Sequence, residues 1–514
     1  MAIVVSHLAP TFDALARQVT RQAKLADVVE LRLDPIGNPG AERLAQLIRD
    51  IKKPVIVAVH GPEAFGAFRG TIEQRFDILR TAARCGASFV DVDWRHALDL
   101  GEVRGAGKCH RIVSRHETAS TPTDLRGLHR EIEAVLGEGD LVKLVTHAQS
   151  CSDGLRMLAL VRAIGGGMIG FCSGEDGSFT RVLAPIFGSP FTYAAPAIIP
   201  GLPEPPPTAP GQIRVNDLRA ILPPSGLTPA TAIFAVLGNP ARHSFSPRVH
   251  GMALKSAGLD AVYVALEPTS LREFLDLARD ENFRGFSVTA PFKEAACELA
   301  SSKDAASTAT GATNTLVRES RGWRGLNTDV HAIQDTLERA FKVHGSVPGR
   351  PVALGAARTL VLGTGGAARA AVQAVKQGGG TVTVAGRDGA KAEALARSMS
   401  CASVEWSAIE RSEYDVLVHC TPMGSLAAPG ELPIPAAWIR PGTLVLDAVY
   451  RPLKTPLLAE ARKKGCTAVP GGEWFVRQAQ AQFKLFTGQD PDEALMRAAF
   501  THAMQDDRAA ATSG

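Results

Sequence analysis

The chain changes its apolar periodicity as it runs, and the changes mark its parts. Up to residue 222, eight short runs rich in β-branched and aromatic residues recur, at 3–5, 28–33, 55–59, 89–92, 112–114, 141–145, 168–171 and 191–194. Such runs predict strands. Between most of them, apolar residues fall three and four apart, predicting helices over 41–51, 72–83, 125–136 and 154–164. Eight alternating units predict a (β/α)8 barrel. Pro-rich punctuation follows at 200–211 and again at 223–229, with the helical spacing of 215–222 between. That helix closes the first domain and places the boundary near 228. Beyond it strands and helices alternate again, with a strand-glycine-helix unit at Thr359-Leu-Val-Leu-Gly363 followed by 366–377, the opening of a Rossmann fold. The predicted architecture is α/β throughout: a barrel over 1–228, an α/β substrate domain over 229–335 completed by 471–505, and a cofactor domain over 336–470.

Composition narrows the function. Apolar residues make up 45% and charged residues 21%, which excludes a disordered chain. The net charge of +4 is spread without a basic tract or aromatic stripe, so nucleic acid is not an expected partner and small anionic ligands are. Eight cysteines stand without a Cys-x-x-Cys pair, which argues for reduced thiols and against a metal site. The N-terminus lacks a leader pattern and no run of 18 apolar residues occurs, so we expect a cytoplasmic protein with no membrane partner.

Gly363-Thr-Gly365-Gly366-Ala367-Ala fits the dinucleotide fingerprint, in which a side-chain-free turn lets backbone and a helix N-terminus approach a pyrophosphate. By itself it also fits an ordinary tight turn. The next strand ends in Gly386-Arg387-Asp388, where an enzyme using NAD commonly has an acidic residue. An arginine fork suits the 2′-phosphate of NADP, although an inward Asp388 would repel it.

Ahead of the loop stand Leu237-Gly-Asn-Pro-Ala-Arg-His-Ser244-Phe-Ser246-Pro, Gly285-Phe-Ser-Val-Thr289-Ala-Pro-Phe-Lys293, Gly311-Ala-Thr-Asn314 and Gly325-Leu-Asn327-Thr-Asp329. After it come Cys420-Thr421-Pro-Met423-Gly424, Asp447-Ala-Val-Tyr450-Arg-Pro and Gly471-Gly-Glu-Trp-Phe-Val-Arg-Gln478. Together these resemble shikimate dehydrogenase over nearly all of 231–500. The resemblance implies that Ser244 and Ser246 hold a substrate carboxylate and that Thr289, Asn314 and Gln478 bind ring hydroxyls. Lys293 and Asp329 would also touch the ring and move the proton that ketone reduction requires. Gly363, Gly365, Gly366, Ala367, Arg387, Lys391, Thr421 and Met423 would hold NADP. Two positions depart from the family, Gly251 for asparagine and Asp388 for threonine or serine; the second weighs against NADP, and Lys391 weighs for it.

In a barrel the chemistry lies at the carboxyl ends of the strands. Those ends carry Glu30-Leu-Arg32-Leu-Asp34, Asp91-Val-Asp93 and Ser114-Arg-His116-Glu117, and Lys143 interrupts the apolar run Leu141-Val-Lys-Leu-Val145. If Lys143 faces the mouth, burial would favour a neutral, nucleophilic amine; on the outer face it would simply snorkel. With Phe179-Thr-Arg181 and Ala209-Pro-Gly-Gln212, the pattern resembles type I 3-dehydroquinate dehydratase over about 1–222. The resemblance implies that Lys143 forms an imine, His116 acts as base and acid, Arg181, Thr208 and Gln212 hold the substrate, and Glu30 and Arg32 meet its hydroxyls. Asp91 or Glu117 is expected to orient His116. One stretch departs: His60 stands for an arginine and Ala64 for a glutamate, unless Glu63 takes that role.

The order on the chain is similar to that of the bifunctional dehydratase-dehydrogenases of plants. It implies that 3-dehydroquinate loses water to 3-dehydroshikimate, which NADPH then reduces. The alternatives are a shikimate or quinate dehydrogenase whose barrel no longer catalyses.

Overall fold

Apolar runs without a polar partner on alternate positions suit strands buried on both faces, as parallel strands covered by helices are. The computed structural model describes residues 1–101, 103, 109–344, 351–426 and 428–512, the side chains of 344 and 507–512 excepted. Its contacts divide the chain into two compact units, Met1–Ala232 with Gly258–Val262 and Leu266–Asn282, and Ile233–Ala257 with Tyr263–Ala265 and Phe283–Gly514.

All eight strands of the first unit form: β1 (Ala2–Leu8), β2 (Val28–Arg32), β3 (Val55–Ala58), β4 (Phe89–Asp93), β5 (His110–Glu117), β6 (Leu141–His147), β7 (Met168–Ser173) and β8 (Phe191–Ala194). They run in the order β7-β6-β5-β4-β3-β2-β1-β8, every ladder parallel. Among the described residues no ladder joins β7 to β8, so the barrel is nearly closed. Helices over Ala41–Ile51, Ile72–Arg84, Leu125–Glu133 and Cys151–Ile164 fill the connections. Thr71 begins the second of these with a capping box to Gln74.

Parity explains the lysine in an apolar strand. One layer of the interior is built from Val4, Val28, Ile56, Ile112, Val145, Ile169, Phe171 and Tyr193. Residues two apart share a face of a strand, so Glu30 and Arg32 follow Val28 inward, Ser114 and His116 follow Ile112, and Lys143 precedes Val145. On β2 and β5 apolar residues thus give way to polar ones toward the strand ends without any change of period, while on β6 Lys143 lies level with Ser114, one step before Val145.

The second unit holds two sheets. The first comprises β9 (Ala232–Leu237), β10 (Ala261–Leu266), β11 (Phe283–Val288), β12 (Ser302–Lys303), β13 (Thr315–Glu319) and β14 (Gly322–Leu326), in the order β10-β9-β11-β13-β14-β12. Helix Gly471–Thr487 returns to it from far along the chain, stacking Phe486 on Phe234 with ring centroids 5.0 Å apart. A side chain at Gly285 would strike Phe486 at 2.5 Å, which is why glycine opens that motif.

The second sheet comprises β15 (Arg358–Leu362), β16 (Thr381–Ala385), β17 (Ala402–Ser403), β18 (Val416–His419), β19 (Leu444–Asp447) and β20 (Thr467–Val469). Its order, β17-β16-β15-β18-β19-β20, is that of a doubly wound Rossmann sheet, parallel throughout. Val361, Val384, Val418 and Leu446 pack on one face, and Leu360, Leu417 and Val445 on the other. Among the described residues no helix is long and apolar enough to cross a membrane.

Candidate active sites

At the carboxyl end of the barrel, a cavity is lined by Glu30, Arg32, His60, Ala64, Phe65, His116, Lys143, Arg181, Thr208 and Gln212, with Val145, Phe171, Tyr193 and Ala209. All seven barrel residues named from the sequence are therefore brought together. Arg181 is buried and lies 4.3 Å over the Phe171 ring, and its Nε and Nη2 have no hydrogen-bond partner. Burial lowers its pKa to about 10, so it remains a cation at neutral pH with two donors unsatisfied among the described residues. Glu30 accepts from Ser6, which accepts in turn from Thr208 Oγ1 at 2.9 Å, while Gln212 Oε1 accepts from the Thr208 amide at 2.9 Å. The space is small, about 30 Å³.

Two expectations about partners are corrected. Lys143 faces inward but is not alone: it donates to Asp91 at 2.8 Å, lies 3.9 Å from Glu30 and sits 4.5 Å over the Tyr193 ring. Asp91 spends its other oxygen on Ser114 at 2.6 Å, and Glu117, on the outer face, accepts from Arg115 at 2.7 Å, so neither forms a hydrogen bond to His116. The ring that meets His116 is His60, edge to face at 5.2 Å. Glu63 pairs with Arg75 at 3.1 Å instead of entering the cavity, which leaves Ala64 in the wall. Burial first, then the charge of Lys143, lowers the His116 pKa to about 3, so its ring is a free base at neutral pH. Arg32 is held by Asp34 through two bonds of 2.8 Å, and attraction to Asp34, Glu30 and Asp91 outweighs burial in keeping its pKa high.

Buried histidines also set the acid limit of the fold. Burial lowers His7 and His250 to about 3, and His60 well below its ordinary value. Below pH about 6.5 the unfolded chain takes up protons that the folded chain refuses. Stability is therefore complete above 6.5 and is lost as pH falls, by about 2 kcal/mol at pH 5 for each of His7 and His250. Melting temperature should drop steeply between pH 7 and 5; a flat profile would contradict these burial assignments.

The second unit holds a cavity of about 670 Å³, within the range of small-molecule sites. Ser244, Ser246, Thr289, Lys293, Asn314, Asp329 and Gln478 all line it, as does Ala367 of the glycine loop. Lys293, the first residue of helix Lys293–Leu299, donates to Asp329 at 2.6 Å. Trp474 Nε1 donates to the other carboxylate oxygen at 2.8 Å, and the Asp329 amide donates to Asn327. Asp329 is thereby locked on both sides. The two serine hydroxyls stand 3.1 Å apart.

The glycine loop leads from β15 to helix Gly366–Gln377. Gly363 has φ +122° and lies against the Cys420 carbonyl, so it is held to glycine by both conformation and space. Gly365 faces open space, whereas Gly366 touches the aliphatic stem of Lys293, with 2.9 Å left for a methyl group. The open cradle at a helix N-terminus suits a pyrophosphate. Arg387 and Lys391 are exposed beyond β16. Asp388 caps helix Gly389–Ser398, accepting from the Lys391 amide at 3.1 Å, so its carboxylate is committed to the helix start. Thr421 and Met423 follow β18, the strand beside β15.

Comparison with known proteins finds relatives for both parts of the chain. Type I 3-dehydroquinase matches residues 3–228, the shikimate dehydrogenase substrate binding domain 236–316, and the shikimate 5′-dehydrogenase C-terminal domain 475–499. The chloroplastic bifunctional 3-dehydroquinate dehydratase/shikimate dehydrogenase of Arabidopsis thaliana is 33% identical over 94% of this chain and 81% of its own length. The chain belongs to that bifunctional family. Its second half is also 35% identical to shikimate dehydrogenase (NADP(+)) of Syntrophobacter fumaroxidans, over 54% of this chain and 94% of that protein. A Thermus thermophilus shikimate 5-dehydrogenase structure, in complex with NADP(H) and shikimate, shares 34% identity over 53% of this chain and 99% of its own, with a TM-score of 0.46.

In this family member, sequence reasoning missed several wall residues. Tyr450, Trp474, Gln482 and Ser287 line the larger cavity, and Tyr193 and Phe171 the smaller. Trp474 carried a signal, since it stands four residues before Gln478, one helical turn away on the same face. Gln482 is one turn further on and binds the Asn314 carbonyl and Thr315, each at 3.0 Å. Tyr193 had no such signal, because an inward tyrosine on a short strand reads as core.

Proposed function

We propose that the chain performs two consecutive reactions, dehydration of 3-dehydroquinate in the barrel and NADPH-dependent reduction of 3-dehydroshikimate in the second unit. The observation that carries this reading is that two separate cavities each hold a lysine hydrogen-bonded to a buried aspartate, among the groups each reaction needs. We assign the work to three parts, 1–228, 229–335 with 471–505, and 336–470. Eight cysteines free of disulfides suit a reducing compartment, and we place the protein in the cytoplasm.

In the barrel, Arg181 supplies the missing partner of the substrate carboxylate, and Glu30, Arg32, Thr208 and Gln212 bind the polar rim. Lys143 passes a proton to Asp91 and its amine attacks the ketone; loss of water gives an imine. The imine draws electrons from the neighbouring carbon, whose proton His116 removes. The electron pair expels the β-hydroxyl, which His116 protonates as water departs. Hydrolysis of the imine releases the product and restores Lys143.

In the second unit, Ser244 and Ser246 receive the carboxylate while Thr289, Asn314 and Gln478 orient the ring. NADPH, when bound, supplies the hydride that reduces the ketone. Lys293 donates a proton to the oxygen that becomes the alcohol, and Asp329 holds the lysine in place and restores its proton. The residues fit the cofactor: the open cradle at Gly365 takes the pyrophosphate, with Gly363, Gly366 and Ala367 completing the turn, Arg387 and Lys391 take the 2′-phosphate, and Thr421 and Met423 border the nicotinamide half.

Purified protein given 3-dehydroquinate and NADPH should consume both and yield shikimate. Replacing NADPH by NADH should cut efficiency by at least about tenfold, and Arg387→Ala should remove most of that preference, since a charge-assisted bond contributes about 1.5–3 kcal/mol. Equal or better efficiency with NADH in the unmodified protein would reject the NADP assignment. Unchanged 3-dehydroquinate, with reduction intact, would leave a monofunctional dehydrogenase.

A further inference from the structure

Arg369 stands in the first turn of helix Gly366–Gln377, and neither reaction uses it. A positive charge at that end opposes the helix dipole, so its side chain needs partners elsewhere. Its backbone stays with the glycine turn, the amide donating to the Gly365 carbonyl at 3.0 Å. Its guanidinium crosses to the substrate half: Nη1 donates to the carbonyl of Thr310, the last residue of helix Ala305–Thr310, at 3.3 Å. Carbonyls of a last turn have no partner within their own helix, and a cation is favoured beside them. Nε lies 3.6 Å from Glu294 Oε1, too far for a hydrogen bond, and is a buried donor with no partner. An approach of about 0.7 Å would complete that bond.

Both contacts fall where the groups of the larger cavity are anchored. Glu294 directly follows Lys293. Thr310 leads into the segment of Asn314, and between them the Thr313 amide donates to the Lys293 carbonyl at 2.8 Å. Asn327 Nδ2 donates to Thr310 Oγ1 at 3.2 Å and to the Ala312 carbonyl at 2.8 Å, while its Oδ1 accepts from the Asp329 amide at 3.1 Å. Lys293, Asn314 and Asp329 therefore belong to one hydrogen-bonded frame, and all three line the cavity. Arg369 joins that frame to the open cradle at Gly365, with one of its two contacts made and the other still short of bonding distance.

We propose that Arg369 is a positioning residue that couples cofactor to substrate: a cofactor seated on the glycine turn draws Arg369 onto Glu294 and fixes the frame of Lys293 and Asn314, so each ligand binds more tightly when the other is present. The proposal rests on the NADP reading above. Coupling of this kind is reciprocal and changes affinity by about 5- to 150-fold. Glu294 is half exposed, so the ion pair by itself adds little to stability. Its effect belongs in the coupling, not in the melting temperature.

The test is titration calorimetry on the full chain with shikimate, alone and with NADPH at saturation; both compounds are reduced, so the pair binds without reacting. Shikimate should bind the unmodified protein at least about fivefold more tightly when NADPH is present. Arg369→Ala should bring that ratio to about one, with each ligand alone held within about threefold of its unmodified affinity. Glu294→Gln should lower the ratio, the double variant should match Arg369→Ala, and Arg369→Lys, which keeps the charge, should recover part of it. A ratio kept in Arg369→Ala, or a larger loss of affinity for either ligand alone, would overturn the proposal. Glu294→Gln alters an exposed side chain and tests the same pair should Arg369→Ala not fold; an undiminished ratio there also overturns it. Failure of the unmodified protein to bind NADPH overturns the cofactor reading and this proposal with it, whereas binding of both ligands with a ratio near one counts against this proposal alone.

Discussion

Replacing Lys143 by alanine is expected to lower dehydration of 3-dehydroquinate by about 1,000-fold or more while reduction of 3-dehydroshikimate continues at the unmodified rate. The imine cannot form without the amine, and among the described residues no other lysine lines the barrel cavity. The variant also strips Asp91 of its ammonium partner at 2.8 Å, and a buried carboxylate left alone costs about 3–5 kcal/mol. Lys143→Arg separates the two effects, because a guanidinium keeps the ion pair and is not a nucleophile. It should be as inactive as the alanine variant and melt nearer the unmodified protein. Borohydride added during turnover should fix mass on Lys143 and on no other residue. Dehydration rates unchanged in either variant would refute the imine assignment.

Lys293→Ala is expected to lower the dehydrogenase kcat by about 100- to 10,000-fold, with dehydratase activity retained. The ammonium lies 2.6 Å from Asp329 and its stem rests against Gly366, so the proton donor and the cofactor turn are built against one another. Asp329→Asn should act through kcat as well, since the carboxylate that sets the lysine's position and returns its proton is lost. In Lys293→Ala, Asp329 still accepts from Trp474, so the cavity wall should survive and substrate affinity should change far less than kcat. A fall confined to KM, with kcat preserved, would reduce Lys293 to a binding group.

The eight barrel strands and the glycine loop were legible because each rests on a local rule: β-branched runs for buried strands, glycine where the chain turns beside a helix start. The residues gathered in both cavities were legible by resemblance, and in the barrel their faces follow from parity. What fell outside such rules was pairing across the fold. Asp91 and Glu117 both stood near enough in sequence and strand order to serve His116, and the choice depends on which carboxylate shares a face with Lys143. Asp91 does, one strand away from β5 and two from Lys143, and it takes the stronger donor. Glu117 has the opposite parity and meets Arg115 outside the barrel.

Asp388 offers the same lesson at a surface. As a residue type it weighed against NADP, but its carboxylate satisfies the amide of Lys391 at a helix start, a role set by backbone geometry. Arg369 shows the reverse: it had no significance in one dimension and gains it only where its side chain meets Thr310 and Glu294. The sequence alone determined the α/β architecture, because periodicity and residue type are local properties, and resemblance supplied the two chemistries and most of the residues that the two cavities bring together. Only the tertiary structure decided which charge neutralises which. That depends on distances of a few ångströms between strands far apart along the chain.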